Sequence, residues 1–220
     1  MTPITRVGLV EDELLLRRML EQLLHGREGL TLVHSVGGFQ EAKLAITPRS
    51  TDVAVVDVNL EDGDGVQLGI YLQRVDPEIG ILLLSSEDAM ASFMAAQDEA
   101  SKPWSYLSKR SSFATTTLVR AIHGAAHGEQ VIDPYLVDRS TPRTGSELSR
   151  LSPAQLRVLT LVAQGYSNDA IAQELHLAVR SVENHLLAIY RVLGVRADGR
   201  NPRVAATLRF LGQTSRQPAR

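Results

Sequence analysis

Three acidic side chains, a hydroxyl and a lysine stand where a fold can make them do chemistry. Asp57 closes the apolar run Asp52-Val53-Ala54-Val55-Val56, and a polar loop with Asn59, Glu61, Asp62, Gly63, Asp64 and Gly65 follows at once. Glu11 and Asp12 close a second run, Val7-Gly8-Leu9-Val10, and Ser85 closes a third. Lys109 comes just after Tyr106-Leu107-Ser108. A carboxylate at the C-terminal edge of a buried parallel strand sits where open α/β sheets hold their ligands. Two acids, a central aspartate, a hydroxyl and a lysine, each at a strand end, are the parts of a phosphorylation site. Phosphoryl transfer to a carboxylate asks mainly for position and charge neutralisation.

The elements that must position these groups follow from the pattern. Strands are expected at Arg6–Val10, Leu30–Val36, the run ending at Asp57, Ile79–Ser85 and Ser105–Ser108. Helices are expected between them at Glu13–Leu24, Gln40–Ile46, Val66–Val75 and Met90–Gln97, with a last one at Ala114–His127. Leu16, Leu20, Leu23 and Leu24 give the first helix its apolar face, and Asp76-Pro77 stops the third. Near-continuous apolar strands alternating with helices imply a parallel sheet covered on both faces.

At 220 residues, two ordinary domains are the expectation, and 44% hydrophobic residues suffice for two cores. There are no cysteines, which excludes disulfides, thiol catalysis and cysteine-ligated zinc and suits a cytoplasmic protein. No apolar stretch approaches the roughly 18 residues of a membrane span, and no signal peptide is visible before the first strand. The net charge of −2 hides an asymmetry. Residues 1–128 hold 11 Lys+Arg against 17 Asp+Glu, whereas residues 151–220 hold 9 against 4. An acidic front and a basic back suit different partners, the back facing a polyanion.

Residues 4–128 resemble the receiver domain of two-component response regulators, which implies a flavodoxin-like five-stranded sheet of order 2-1-3-4-5. By that resemblance Asp57 is the phosphoacceptor and Glu11 and Asp12 are the acidic Mg²⁺ pair. Ser85 is the switch hydroxyl, Tyr106 the aromatic switch and Lys109 the phosphate-binding lysine. Mg²⁺ takes oxygen ligands in an octahedron and keeps several waters. Glu11, Asp12, Asp57 and the backbone carbonyl of Asn59 could supply the protein's share. Without metal, carboxylates this close repel, so one pKa should rise.

Singly, each residue has an ordinary reading. An Asp after a strand caps a turn, Glu11-Asp12 favour a helix N-terminus, Ser85 or Ser86 could cap the next helix, and Tyr106 could be core. The joint spacing decides. A calcium loop starting at Asp57 fails, because its sixth residue is Asp62 rather than Gly and its twelfth is Leu68 rather than Glu. No P-loop or dinucleotide fingerprint is present. A phosphatase reading with Asp57 as nucleophile ranks third, because position 59 is Asn rather than a second Asp; no enzymatic turnover is expected, and steady hydrolysis of a phosphate ester would revive it. The chain departs from the receiver pattern at Glu61, where Pro is frequent, and in a longer segment at Asp98–Trp104. Asn59 and Glu87 occupy positions that tune dephosphorylation in similar receivers.

Residues 129–150 read as a linker, because Asp138–Arg150 is polar and contains Pro142 and Gly145. Four helices follow in 151–213, with 214–220 as a tail. Ser152-Pro153-Ala154-Gln155 is a capping box with Pro at the first helical position. Ser167 caps a second helix, His176-Leu177-Ala178 is a tight turn, and a third helix carries Val182, Leu186, Ile189 and Leu193. Two helices joined this way form a helix-turn-helix. The block resembles the LuxR-type DNA-binding domain through Leu151-Ser152-Pro153, Gly165-Tyr166-Ser167-Asn168, Ile171-Ala172, Ser181-Val182-Glu183-Asn184-His185 and Leu193-Gly194-Val195. A receiver followed by this domain is the NarL/FixJ architecture.

The third helix would enter the major groove of double-stranded DNA with Arg180, Ser181, Glu183, Asn184, Leu187 and Arg191 outward. Asn suits adenine and Glu suits cytosine, while the arginines suit phosphates. Val204, Leu208 and Leu211 on the fourth helix could form a dimerisation stripe, or serve as core. The resulting expectation is a cytoplasmic response regulator. A sensor histidine kinase would phosphorylate Asp57 with Mg²⁺, and a homodimer would bind a promoter operator. The alternative is a DNA-binding protein whose receiver is not phosphorylated.

Overall fold

A computed structural model describes residues 4–86, 89–195 and 201–216. The chain divides into two compact units, Met1–Val131 and Ile132–Arg220.

In the first unit, strands β1 (Thr5–Val10), β2 (Leu30–Val36), β3 (Val53–Asp57), β4 (Gly80–Ser85) and β5 (Ser105–Ser108) form one parallel sheet in the order β2-β1-β3-β4-β5. Helices α1 (Leu14–Leu24), α2 (Phe39–Ala45), α3 (Gly65–Val75) and α4 (Met90–Ala96) make the crossovers, and with α5 (Thr115–Ala126) they cover the faces. The central strands are buried along their whole length, as their unbroken apolar runs require. Val7, Leu9, Val53, Val55, Leu82, Leu84 and Leu107 pack with Leu16, Leu20 and Leu24 of α1 and with Leu118, Ala121 and Ile122 of α5. The order and class are those expected from the sequence.

The second unit is helical: α6 (Pro153–Ala163), α7 (Asn168–Glu174), α8 (Val179–Val192) and α9 (Pro202–Gln213). Ser152 and Gln155 form the expected reciprocal cap, and the Ser167 hydroxyl accepts the Ala170 N–H. Val158, Leu159, Val162, Ile171, Val182, Leu186, Ile189, Leu193 and Phe210 are buried.

Two segments differ from expectation. Residues 129–150 are not a free connector. Val131 lies on the outer edge of β5, its carbonyl accepting the Tyr106 N–H at 2.9 Å and its N–H donating to the Ser105 Oγ at 3.0 Å. From Ile132 onward the chain belongs to the second unit, with a helical turn at Pro134–Asp138 capped by Asp133 and a 3-10 turn at Glu147–Arg150 that buries Leu148. The supposed tail is likewise ordered in part. Residues Thr214–Arg216 (β7) pair antiparallel with Ser140–Pro142 (β6). The causes are burial of Val131, Ile132 and Leu148 and a long-range strand pairing that local composition does not reveal. Among the described residues, no helix is long and apolar enough to cross a membrane.

Candidate functional site

Parallel register brings the strand ends together. Val10 pairs with Val56, and Asp57 with Leu84, so Glu11, Asp57 and Ser85 share the C-terminal edge of the sheet. Ser85 pairs with Ser108, which places Lys109 at the same edge. Beyond Asp57 a two-residue hairpin, Asn59–Leu60 against Gly63–Asp64, folds the loop back. Gly65 is required there, since a Cβ would lie 1.8 Å from the Asp57 carbonyl oxygen. Asp64 then caps α3 by accepting the Val66 and Gln67 N–H groups.

The acids converge. Glu11, Asp12 and Asp57 each offer a carboxylate oxygen within 4.8 Å of the others. The Lys109 ammonium donates to Glu11 Oε1 at 2.9 Å and to Asp57 Oδ2 at 2.8 Å. Its backbone is fixed by the helical turn Lys109–Ser112, which Ser108 caps. Asp57 Oδ1 accepts the Asn59 N–H at 3.2 Å, and Asp12 Oδ2 accepts the Glu61 N–H at 2.8 Å. Glu11 and Asp57 are buried, whereas Asp12 is half-buried and Asn59 exposed. Ser85 is fully buried at the end of β4, and Ser86 is exposed. Tyr106 is buried with its ring edge-on to Phe93, and its hydroxyl accepts the Ala89 N–H at 3.2 Å. Glu87 lies outside the described residues.

Burial raises the Glu11 pKa to about 7, against the bond from Lys109, and the charge of Asp57 adds to the rise. Burial also raises Asp57, again opposed by Lys109. Burial works against the charge on Lys109, but its bonds to Asp57 and Glu11 outweigh this and its pKa rises. One lysine therefore leaves the cluster short of positive charge. Glu11 Oε2 is buried without a hydrogen-bond partner. An all-oxygen set with an orphaned buried oxygen fits a hard divalent cation.

A stability consequence follows for the cation-free chain. Glu11 ionises less readily folded than unfolded, so the folded state holds the extra proton between the ordinary 4.5 and about 7. Stability therefore falls as pH rises through that window. Thermal melts across it in chelator should show the decline, and Glu11→Gln should flatten it, leaving the share from Asp57, whose pKa burial also raises. An unchanged slope in Glu11→Gln would contradict the assignment.

Several contributors were invisible in the sequence. Arg17 donates to the Glu11 carbonyl at 2.6 Å from one turn into α1. The Asp62 carboxylate, once weighed as part of a calcium loop, accepts the Phe39 and Gln40 N–H groups and holds α2 instead. Nothing in the local pattern signals either.

In the second unit, α7 and α8 meet through a turn in which His176 has φ +53° and the Leu177 N–H bonds to the Ala172 carbonyl. A left-handed residue there is what makes the turn tight. Val182, Leu186 and Ile189 bury one face of α8, and Arg180, Glu183, Asn184, Leu187 and Arg191 are exposed on the other, with Ser181 half-buried. Arg203 of α9 donates to Asn168 Oδ1 at 2.7 Å and to the Tyr166 carbonyl, tying α9 to the start of α7. The expected stripe on α9 needs correction. Leu211 is only 6% exposed, buried like Phe210 and Ala206 of the same helix, while Val204 and Leu208 are half-buried. Of the three, Leu211 therefore takes the core reading.

The profile of the response regulator receiver domain matches residues 7–123, more than half of the chain. The nitrate/nitrite response regulator protein NarP of Escherichia coli K12 is 32% identical over 219 residues, spanning 96% of this chain and 97% of NarP. The chain belongs to the response regulator family. The profile for bacterial regulatory proteins of the luxR family matches residues 149–200. With a receiver and this helix-turn-helix, the protein is a DNA-binding response regulator. The transcriptional activator DevR/DosR of Mycobacterium tuberculosis is 28% identical over 199 residues, spanning 86% of this chain and 88% of that protein. A structure of the Salmonella typhimurium RcsB response regulator matches in fold, with a TM-score of 0.52 at 20% identity over 96% of this chain and 99% of that chain.

Proposed function

We propose that this response regulator is a transcription factor switched by phosphorylation of Asp57. The observation that carries the reading is Lys109 spanning Glu11 and Asp57 inside an acid triad at the sheet edge. A carboxylate oxygen of Asp57 attacks phosphorus while the bond to the donor, a phosphohistidine of a sensor kinase, breaks. Lys109 then pairs with a phosphoryl oxygen in place of the carboxylate it now holds, and the Ser85 hydroxyl bonds another. Glu11, Asp12, Asp57 and the Asn59 carbonyl would hold Mg²⁺, which when bound neutralises charge on the carboxylates and the phosphoryl group. Tyr106 lies under α4 and would report the change at Ser85 to the surface.

Phosphorylation must favour the DNA-binding form by a few kcal/mol to act as a switch. Arg180, Ser181, Glu183, Asn184, Leu187 and Arg191 of α8 face the major groove of a promoter operator. Two copies bind two half-sites. With Leu211 buried, any contribution of α9 to pairing rests on Val204 and Leu208. A DNA partner supports a cytoplasmic location for this work. Anisotropy of a labelled operator duplex should show tighter binding after treatment with acetyl phosphate and Mg²⁺ for the natural chain and no change for Asp57→Asn. An equal gain in the variant would refute the assignment of Asp57.

One observation supports a second reading, a DNA binder indifferent to phosphorylation. The segment before β5 is pinned: Trp104 and the Ser101 N–H both bond Gln73 Oε1, at 2.8 and 3.2 Å. Unchanged DNA affinity in a chain shown to be phosphorylated would favour it.

A further inference from the structure

Leu187 sits in the wrong surroundings for a solvent-facing residue. The residue is 62% exposed on a helix whose other leucine, Leu186, is buried. Single exposed leucines are ordinary, so the position matters more than the exposure. At about 100° per residue, Leu187 and Arg191 lie within about 20° of Arg180 around the α8 axis, on opposite sides of it. Glu183 and Asn184 flank this ridge, about 60° to one side and about 40° to the other. The ridge thus runs arginine, leucine, arginine, with an acid and an amide beside the leucine. Neither arginine joins an ion pair among the described residues.

The two cations are about 16 Å apart along the helix, somewhat more than the groove width of about 12 Å. They suit phosphates at the two walls. The centre of the ridge carries no cation. Glu183 is repelled by phosphate and gains only by accepting from a base amine. Leu187 has no hydrogen-bonding group at all. In the major groove the one apolar feature is the 5-methyl of thymine.

We infer that Leu187 reads the 5-methyl group of a thymine at the centre of each half-site, between bases addressed by Glu183 and Asn184. The inference rests on the DNA-binding reading and names the operator chemistry: a thymine beside a cytosine and an adenine, not a guanine-rich core bound by basic side chains.

The test uses the phosphorylated full-length chain. A preferred duplex is selected from a random library, and each thymine in it is replaced in turn by deoxyuridine, which lacks only the methyl. One replacement per half-site should weaken the natural chain about fourfold, the effect of one buried methyl. Leu187→Ala, a change at an exposed position, should bind thymine and uracil duplexes equally. Uracil tolerated at every position, or a penalty that persists in Leu187→Ala, would overturn the inference while leaving DNA binding intact. So would a change in assembly mass in Leu187→Ala with the thymine preference unaltered, because the leucine would then serve a protein contact. Failure to enrich any duplex would overturn the DNA-binding reading itself.

Discussion

Trp104→Ala is expected to destabilise the receiver by about 3–5 kcal/mol, the range for deleting a large aromatic side chain from a core. Trp104 is fully buried. Its ring closes on Gly69, where a Cβ would lie 2.7 Å from Cη2, so the two positions are fitted to each other. The indole N–H bonds Gln73 Oε1, the backbone N–H bonds Gln97 Oε1, and the carbonyl accepts from Gln130. Truncation leaves a cavity between α3, α4 and β5. It also loosens Gln130 and so the edge contact of Val131 with Tyr106. Urea unfolding followed by circular dichroism should show the loss, and amide exchange at Tyr106 and Val131 should quicken. Trp104→Phe keeps most of the volume and forfeits the bond to Gln73, which retains Ser101, so its cost should be nearer 1 kcal/mol. An alanine variant as stable as the parent would mean the segment is not packed as described.

The same region shows where sequence reading ends. β3 and β4 were legible because strands buried on both faces must be apolar throughout. Glu11, Asp57 and Lys109 were legible because strand ends are marked by the switch from apolar to charged. Their convergence followed from the parallel fold. What was missed depends on pairings distant in sequence. Pro142 pairs with Thr214, and Val131 with the edge at Tyr106, yet nothing local in these polar stretches marks a partner. The role of Leu211 stayed open in the sequence for a related reason. Helical spacing shows that a face of α9 is apolar, not which neighbour covers it.

Lys109→Met is expected to have the second large effect. The ammonium is the cation bonded to both Glu11 and Asp57, and both carboxylates are buried. Removing one partner of a buried ion pair costs about 3–5 kcal/mol where the remaining charge is kept. Here the carboxylates can escape by protonation, so the cost depends on pH. Both already ionise less readily than usual, and losing Lys109 pushes them further up. The variant should lose the most stability above neutral pH in chelator, recover it as pH falls, and recover part of it on adding Mg²⁺. Its phosphorylated form should also lack the gain in DNA affinity, since the phosphoryl group has lost its ammonium. Equal stability to the parent at pH 8, with an intact response to phosphorylation, would show that Lys109 is a bystander.

The most direct test of the central claim is the intact mass of the chain after incubation with Mg²⁺ and acetyl phosphate, beside Asp57→Asn treated identically. The account predicts one added phosphoryl group on the natural chain and none on the variant. A phosphoryl group on both would place the acceptor elsewhere, and none on either, even with a cognate kinase, would contradict the switch.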